Sequence, residues 1–121
     1  MSAPKIFESE YRFCLILWEN EPISCSDIAK LCLEKLDWKR TTTYTVIKRL
    51  GERGFLKVEN SIISTLYSKE DIQERELDEM VEKTFEGSLP AFVAAFSRHE
   101  NLSEEDVADL LKMIEEKKKN K

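Results

Sequence analysis

Lys39-Arg40-Thr41-Thr42-Thr43-Tyr44-Thr45-Val46-Ile47-Lys48-Arg49-Leu50 is the stretch on which the rest of the chain turns. Thr43, Val46, Ile47 and Leu50 recur at i, i+3, i+4 and i+7, a spacing that gathers side chains on one buried face of a helix. The other side carries Thr41, Thr45, Lys48, Arg49 and Glu52. A helix that docks by one face and offers hydroxyls and cations on the other meets the needs of major-groove reading. A threonine hydroxyl donates or accepts, its methyl can touch a thymine methyl, and Lys and Arg add phosphate affinity. The plain alternative is a solvated polar face. Against it stands the helix-propensity cost of three consecutive threonines. Arg49 also stands three residues before Glu52 and near the helix C-terminus, and either setting suits a cation. Tyr44 is placed either to pack or to donate its hydroxyl to a phosphate.

Working outward, the helix is expected to run to about Arg53, with Gly54 as a left-handed cap. Upstream, Ser9 is expected to cap a first helix over about 9–19, with Phe7, Tyr11, Cys14, Leu15 and Trp18 on its buried face. Asn20-Glu21-Pro22 ends it, and Ile23-Ser24 reads as a short strand. A second helix is expected over about 26–36, opened by Ser26, with Ile28, Leu31, Cys32 and Leu36 as its stripe. Trp18 and Trp38 read as core, although the Trp38 indole N–H lies near the start of the third helix, where a phosphate is within reach. Downstream, Phe55–Glu59 and Ile63–Ser68 read as two strands joined through Asn60-Ser61. Helix, helix, turn, helix, hairpin is the order of a winged helix-turn-helix. The fold class expected is therefore mostly α with a small β-hairpin wing.

From Lys69 onward the pattern is helical only. Leu77, Met80, Val81, Thr84 and Phe85 form one stripe, closed by Gly87; Leu89, Phe92, Val93 and Phe96 form a second. Ser103-Glu104-Glu105-Asp106 resembles a capping box ahead of Val107, Leu110, Leu111 and Ile114. Lys117 to Lys121 reads as a frayed, solvated tail. The organisation expected is a DNA-binding domain over 1–69 and a helical dimerisation domain over 70–121. Three amphipathic helices in so short a segment leave apolar faces that a second copy would cover. Leu77, Val81, Phe92, Phe96, Leu110 and Ile114 are the interface candidates.

Composition agrees once it is divided. The 121-residue chain carries a net charge of −5. Residues 1–69 hold 11 Lys and Arg against 9 Asp and Glu, whereas residues 70–121 hold 8 against 15. Between 39 and 57, Lys39, Arg40, Lys48, Arg49, Arg53 and Lys57 face Glu52 alone. A local basic stripe of this kind matters more for phosphate binding than the global sum. The longest apolar run, Phe13 to Trp18, is far short of the roughly 20 residues that span a bilayer. The start Met1-Ser2-Ala3-Pro4-Lys5-Ile6 has no signal-peptide pattern, so a cytoplasmic protein is expected. Cys14, Cys25 and Cys32 include no CxxC pair, and His99 is the sole histidine. Buried reduced thiols are expected, with no metal and no cofactor. No phosphate-cradling loop or nucleophile–base pair is present, so an enzyme is not expected.

A family resemblance rests on Glu10-Tyr11 to Trp18, Asp37-Trp38 to Thr45, Lys48-Arg49-Leu50 with Gly54-Phe55-Leu56, Leu66-Tyr67-Ser68, and Leu102-Ser103-Glu104-Glu105. In these the chain is similar to the penicillinase-repressor family, winged-helix repressors of β-lactamase and methicillin-resistance genes with copper-responsive relatives. The resemblance implies a homodimer that binds a palindromic operator and blocks transcription. By position it places Thr41, Thr42, Tyr44 and Thr45 at the DNA-facing helix start and Arg49 at a phosphate. With Lys39, Arg40 and Lys48 these make the expected DNA-binding set. Three departures stand out. Lys39 occupies a place where relatives often carry Ser, leaving Thr41 as the expected cap. The wing turn Asn60-Ser61-Ile62-Ile63-Ser64 has no basic residue, so its DNA contact should be weak. The cysteine-rich tail of the copper-responsive members is missing.

The resemblance also implies a route of release. Relatives that answer to β-lactams are cut by a membrane-bound metalloprotease between an Asn and a Phe in the dimerisation segment. The matching bond here is Ala95-Phe96, with Ala in place of the Asn; read from its helix alone, Phe96 is a core anchor. A regulatory protease is thus a candidate partner, beside double-stranded operator DNA and a second copy of the chain. The competing reading of the whole is a winged-helix module used for protein–protein contact without DNA binding. The basic helix face, which such an adaptor does not need, separates the two.

Overall fold

The computed structural model describes residues 3–99 and 101–119. Along them run α1 (Glu8–Asn20), β1 (Ile23–Ser24), α2 (Cys25–Leu36), α3 (Arg40–Glu52), β2 (Leu56–Glu59), β3 (Ile62–Thr65), α4 (Lys69–Thr84), α5 (Leu89–His99) and α6 (Glu104–Lys119). The three strands form one antiparallel sheet in the order β1-β3-β2, in which Ile63 is the partner of both Ile23 and Val58. This is the winged helix-turn-helix expected from the sequence, followed by helices.

Local chemistry explains where the elements begin. α1 starts one residue earlier than expected, at Glu8, because Glu10 accepts the Phe7 N–H at 2.8 Å; Ser9 lies inside the first turn and does not cap. α2 is capped by Ser24 and not by Ser26: the Ser24 hydroxyl accepts the Asp27 N–H at 3.0 Å. Asp37, in the left-handed region at φ 56°, closes α2. The N-cap of α3 is Lys39, whose side chain makes no capping bond, so the expected cap by Thr41 is not made. Gly54 does take the left-handed conformation after α3, at φ 78°. Asn60 and Ser61 both have positive φ, 52° and 64°, which gives the two-residue hairpin the twist its strands need.

Two compact units divide the chain, the first ending at Asp78 and the second starting at Glu79. The core of the first gathers Phe13, Leu17, Ile28, Leu50, Phe55 and Ile63, all fully buried. Each such side chain contributes roughly 2 kcal/mol of hydrophobic stabilisation. Ile72, on the opening turns of α4, is buried in the same core, so this unit extends past the hairpin. α1 is buried more broadly than its single expected stripe. Phe13, Cys14, Ile16 and Leu17 are all covered, because α2 and β3 both pack on it, while Phe7 is exposed.

In the second unit α4 ends through Glu86 and Gly87, both with positive φ. Ser88 caps α5, and Ser103 with Asp106 forms the expected reciprocal box at α6. α6 continues through Lys119, so Lys117–Lys119 are helical and not frayed, as suits cations at a helix C-terminus. Lys121 lies outside the described residues. Phe92 packs edge-on to Phe85 and stacks with Phe96. Val81 of α4 is covered, but among the described residues of α5 and α6 none is buried.

Candidate nucleic-acid interface

α3 divides as its periodicity predicts. Thr43, Val46, Ile47 and Leu50 are buried, and Arg40, Thr41, Thr42, Tyr44, Thr45, Lys48, Arg49 and Glu52 are exposed. The Thr43 hydroxyl makes no hydrogen bond of ordinary geometry. Its neighbour is the Cys32 thiol, whose pKa burial pushes up and the hydroxyl pulls back.

Lys39, Lys48 and Arg49 are exposed and have no carboxylate partner among the described residues. The alternative pairing of Arg49 with Glu52 is therefore not made. The Thr45 hydroxyl donates to the Thr41 carbonyl at 2.9 Å and keeps its lone pairs free to accept. Tyr44 accepts from Arg40 Nε at 3.0 Å and keeps its own proton to donate.

Other cations of the expected stripe are already engaged. Arg53 forms an ion pair with Glu10, whose side chain is only 7 % exposed, and lies over the Phe7 ring. It holds α1 to the end of α3 and does not belong to the open face. Lys57 pairs with Glu59 along β2 at 3.5 Å, so the wing offers no unpaired cation among the described residues.

Two residues join the site that the sequence did not nominate. Ser9, from α1, helps line a shallow groove of about 380 Å³ with Trp38, Thr41, Thr42, Thr45 and Arg49. Ser26, at the start of α2, accepts a hydrogen bond from Arg40 at 3.2 Å. No local pattern signals either, since both come from another helix. Trp38 has a double place: it stacks on Phe13 in parallel planes and lines the groove. Trp18 is a structural residue, donating its indole N–H to the Tyr67 carbonyl at 3.0 Å.

The interface candidates of the helical segment differ in exposure. Leu77, Phe96, Leu110 and Ile114 are exposed, Phe92 is half-buried, and Val81 is already covered within the protomer. Ala95 and Phe96 lie inside α5. Among the described residues no helix is long and apolar enough to cross a membrane, and no cluster of His, Cys, Asp and Glu is arranged to hold a metal ion.

A three-stranded winged helix with an open, cationic, threonine-bearing third helix defines a DNA-binding protein of the winged helix-turn-helix class. Comparison with known proteins narrows this. The penicillinase repressor family matches residues 6–116, and the chain belongs to that family. It is 26% identical over 117 residues to the methicillin resistance regulatory protein MecI of Staphylococcus aureus strain Mu50, covering 93% of this chain and 95% of that one. It is 23% identical over 122 residues to the penicillinase repressor of Bacillus licheniformis, covering 98% and 95%. An uncharacterised 16.5 kDa protein of Latilactobacillus sakei is 36% identical over 55 residues, 46% of this chain and 38% of that one. The chain is accordingly a DNA-binding transcriptional repressor.

Proposed function

We propose that the chain represses transcription as a homodimer on a palindromic operator. In this reading residues 1–69 bind DNA and residues 70–121 make the dimer. The observation that carries it is the α3 face, where Thr41, Thr42, Thr45, Lys48 and Arg49 are exposed over a fully docked Thr43-Val46-Ile47-Leu50 stripe. Lys39, Lys48 and Arg49 hold phosphates, Arg49 from the groove beside Trp38. Thr42 and Thr45 touch base edges.

The dimer is supported by the apolar side chains that one protomer leaves in water. Leu77, Phe96, Leu110 and Ile114 are each 39% exposed or more. A two-fold partner would cover them and set two α3 helices on half-sites about 10 base pairs apart, or a multiple of that. Doubling the DNA contact is what makes binding tight, so anything that opens the dimer releases the operator. The protein is regulatory and performs no chemistry of its own.

Release through Asn–Phe cleavage does not suit this chain. Ala95 removes the amide that such a protease would bind, leaving the enzyme's own polar groups unpaired. The bond also lies within α5, which must unwind before a protease can engage it.

Operator binding measured over a salt series tests the interface. Arg49→Ala should weaken binding to all sequences alike and flatten the salt slope by about one unit, whereas Thr42→Ala or Thr45→Ala should change sequence preference. An Arg49→Ala protein with unchanged operator affinity at physiological salt would remove α3 from the interface. A monomer in sedimentation at micromolar concentration would remove the dimer.

A further inference from the structure

Arg40 is held as no other cation on the open face of α3 is. Its Nε–H donates to Tyr44 Oη at 3.0 Å, and Nη2 donates to Ser26 Oγ at 3.2 Å. The guanidinium carbon lies 5.5 Å from the centroid of the Tyr44 ring. These contacts occupy the Nε edge of the guanidinium. Nη1 makes no hydrogen bond among the described residues, so with the second hydrogen of Nη2 it forms an open fork of two donors. Lys39, Lys48 and Arg49 have no comparable anchors.

A fork fixed in direction surpasses a mobile charge only where the ligand offers two acceptors at a set spacing. A phosphate does so, and so does the O6/N7 edge of guanine in the major groove. Two observations favour guanine. Arg40 is the first residue of α3, and the N-terminal residues of a recognition helix are those that meet base edges. The start of α2 is also poor ground for a phosphate. The Cys25 and Asp27 amides, which would otherwise receive an anion, are spent on the Ser61 carbonyl and the Ser24 hydroxyl.

We infer that Arg40 is a specificity-determining residue that reads one guanine in each half-site through its open fork. Tyr44 and Ser26 are its positioning residues, and they spare the rotamer freedom that Arg40 would otherwise lose on binding. The assignment rests on α3 being the DNA-facing helix.

Selection of the full-length protein on a randomised duplex library, followed by affinity measurements, tests it. Wild type should select a guanine at one position of each half-site. Arg40→Ala should lose roughly a tenfold to hundredfold preference there and keep its preferences elsewhere. Replacing that guanine with 7-deazaguanine should weaken wild type and leave Arg40→Ala unaffected. Tyr44→Phe, which keeps the ring and removes the anchoring oxygen, should weaken the same preference. If Arg40→Ala instead loses affinity evenly across sequences with a flatter salt slope, or keeps the wild-type base profile, the guanine assignment fails while the α3 reading survives. A wild-type protein that selects no sequence overturns both.

Discussion

Arg53→Met separates a structural cation from a DNA-contacting one. Arg53 stands at the end of α3, inside the basic stripe, yet its guanidinium is committed to Glu10. Glu10 is 5% exposed and also accepts the Phe7 N–H that starts α1. Removing one member of a fully buried ion pair costs about 3–5 kcal/mol, because the other charge is left without compensation. Arg53 is one-third exposed, so solvent already screens part of the pair, and Glu10 keeps its backbone bond. Methionine preserves the alkyl stem against Phe7 and loses only the cation over the ring. The expected loss is about 2 kcal/mol, or a melting temperature lower by roughly 10 °C for a domain of this size. Adding Glu10→Gln should recover about 1 kcal/mol, since the amide oxygen can still accept from Phe7 while the buried charge is gone. Urea unfolding of wild type, both single variants and the double variant measures this. Operator affinity of the folded Arg53→Met protein should stay within about twofold, with an unchanged salt slope. Stability within about 0.5 kcal/mol of wild type, or a salt slope flatter by about one unit, would refute the reasoning.

Thr43→Val should stabilise the first unit by about 1 kcal/mol in urea unfolding, because it removes a buried hydroxyl that lacks a hydrogen bond; a loss of stability would show that the contact with the Cys32 thiol matters more. The Cys14 thiol has its pKa pushed up to about 12, first by burial and then by the nearby Glu10. The folded state therefore keeps this proton after the unfolded state has lost it. The associated stability is complete below pH 9 and is lost as pH rises towards 12. Cys14→Ala should flatten the fall in stability over that window, and equal slopes for the two proteins would contradict the assignment. In cells exposed to a β-lactam, mass spectrometry should find no fragment ending at Ala95; such a fragment would show that a protease accepts Ala where the resemblance implies Asn.

The two-sided character of α3, the Ser103–Asp106 box and the Asn60-Ser61 turn were all legible without coordinates. Each is written within a few residues and follows from helical spacing or backbone preference. The helix starts were less legible. Ser9 and Ser26 are plausible caps by residue type, but Glu10 and Ser24 won, because a cap is chosen by which oxygen meets a free amide and not by composition. The single stripe expected for α1 failed for a related reason: two elements pack on that helix, and one periodicity cannot report both.

What the sequence determined by itself is therefore the helix-turn-helix order, the wing, the inward and outward faces of α3, and membership of a repressor family. Covalent geometry fixes the two faces of α3, since side chains three or four residues apart on a helix must share a face. Tertiary structure alone decided which cations remain free to meet DNA. Glu10 withdrew Arg53 from the basic stripe, and Ser26 helped set the direction of Arg40. Glu10 and Arg53, or Ser26 and Arg40, are far apart along the chain and meet only because α1, α2 and α3 pack round one core. No local pattern encodes such meetings, because a charge is assigned its partner by distance in space and not by distance in sequence.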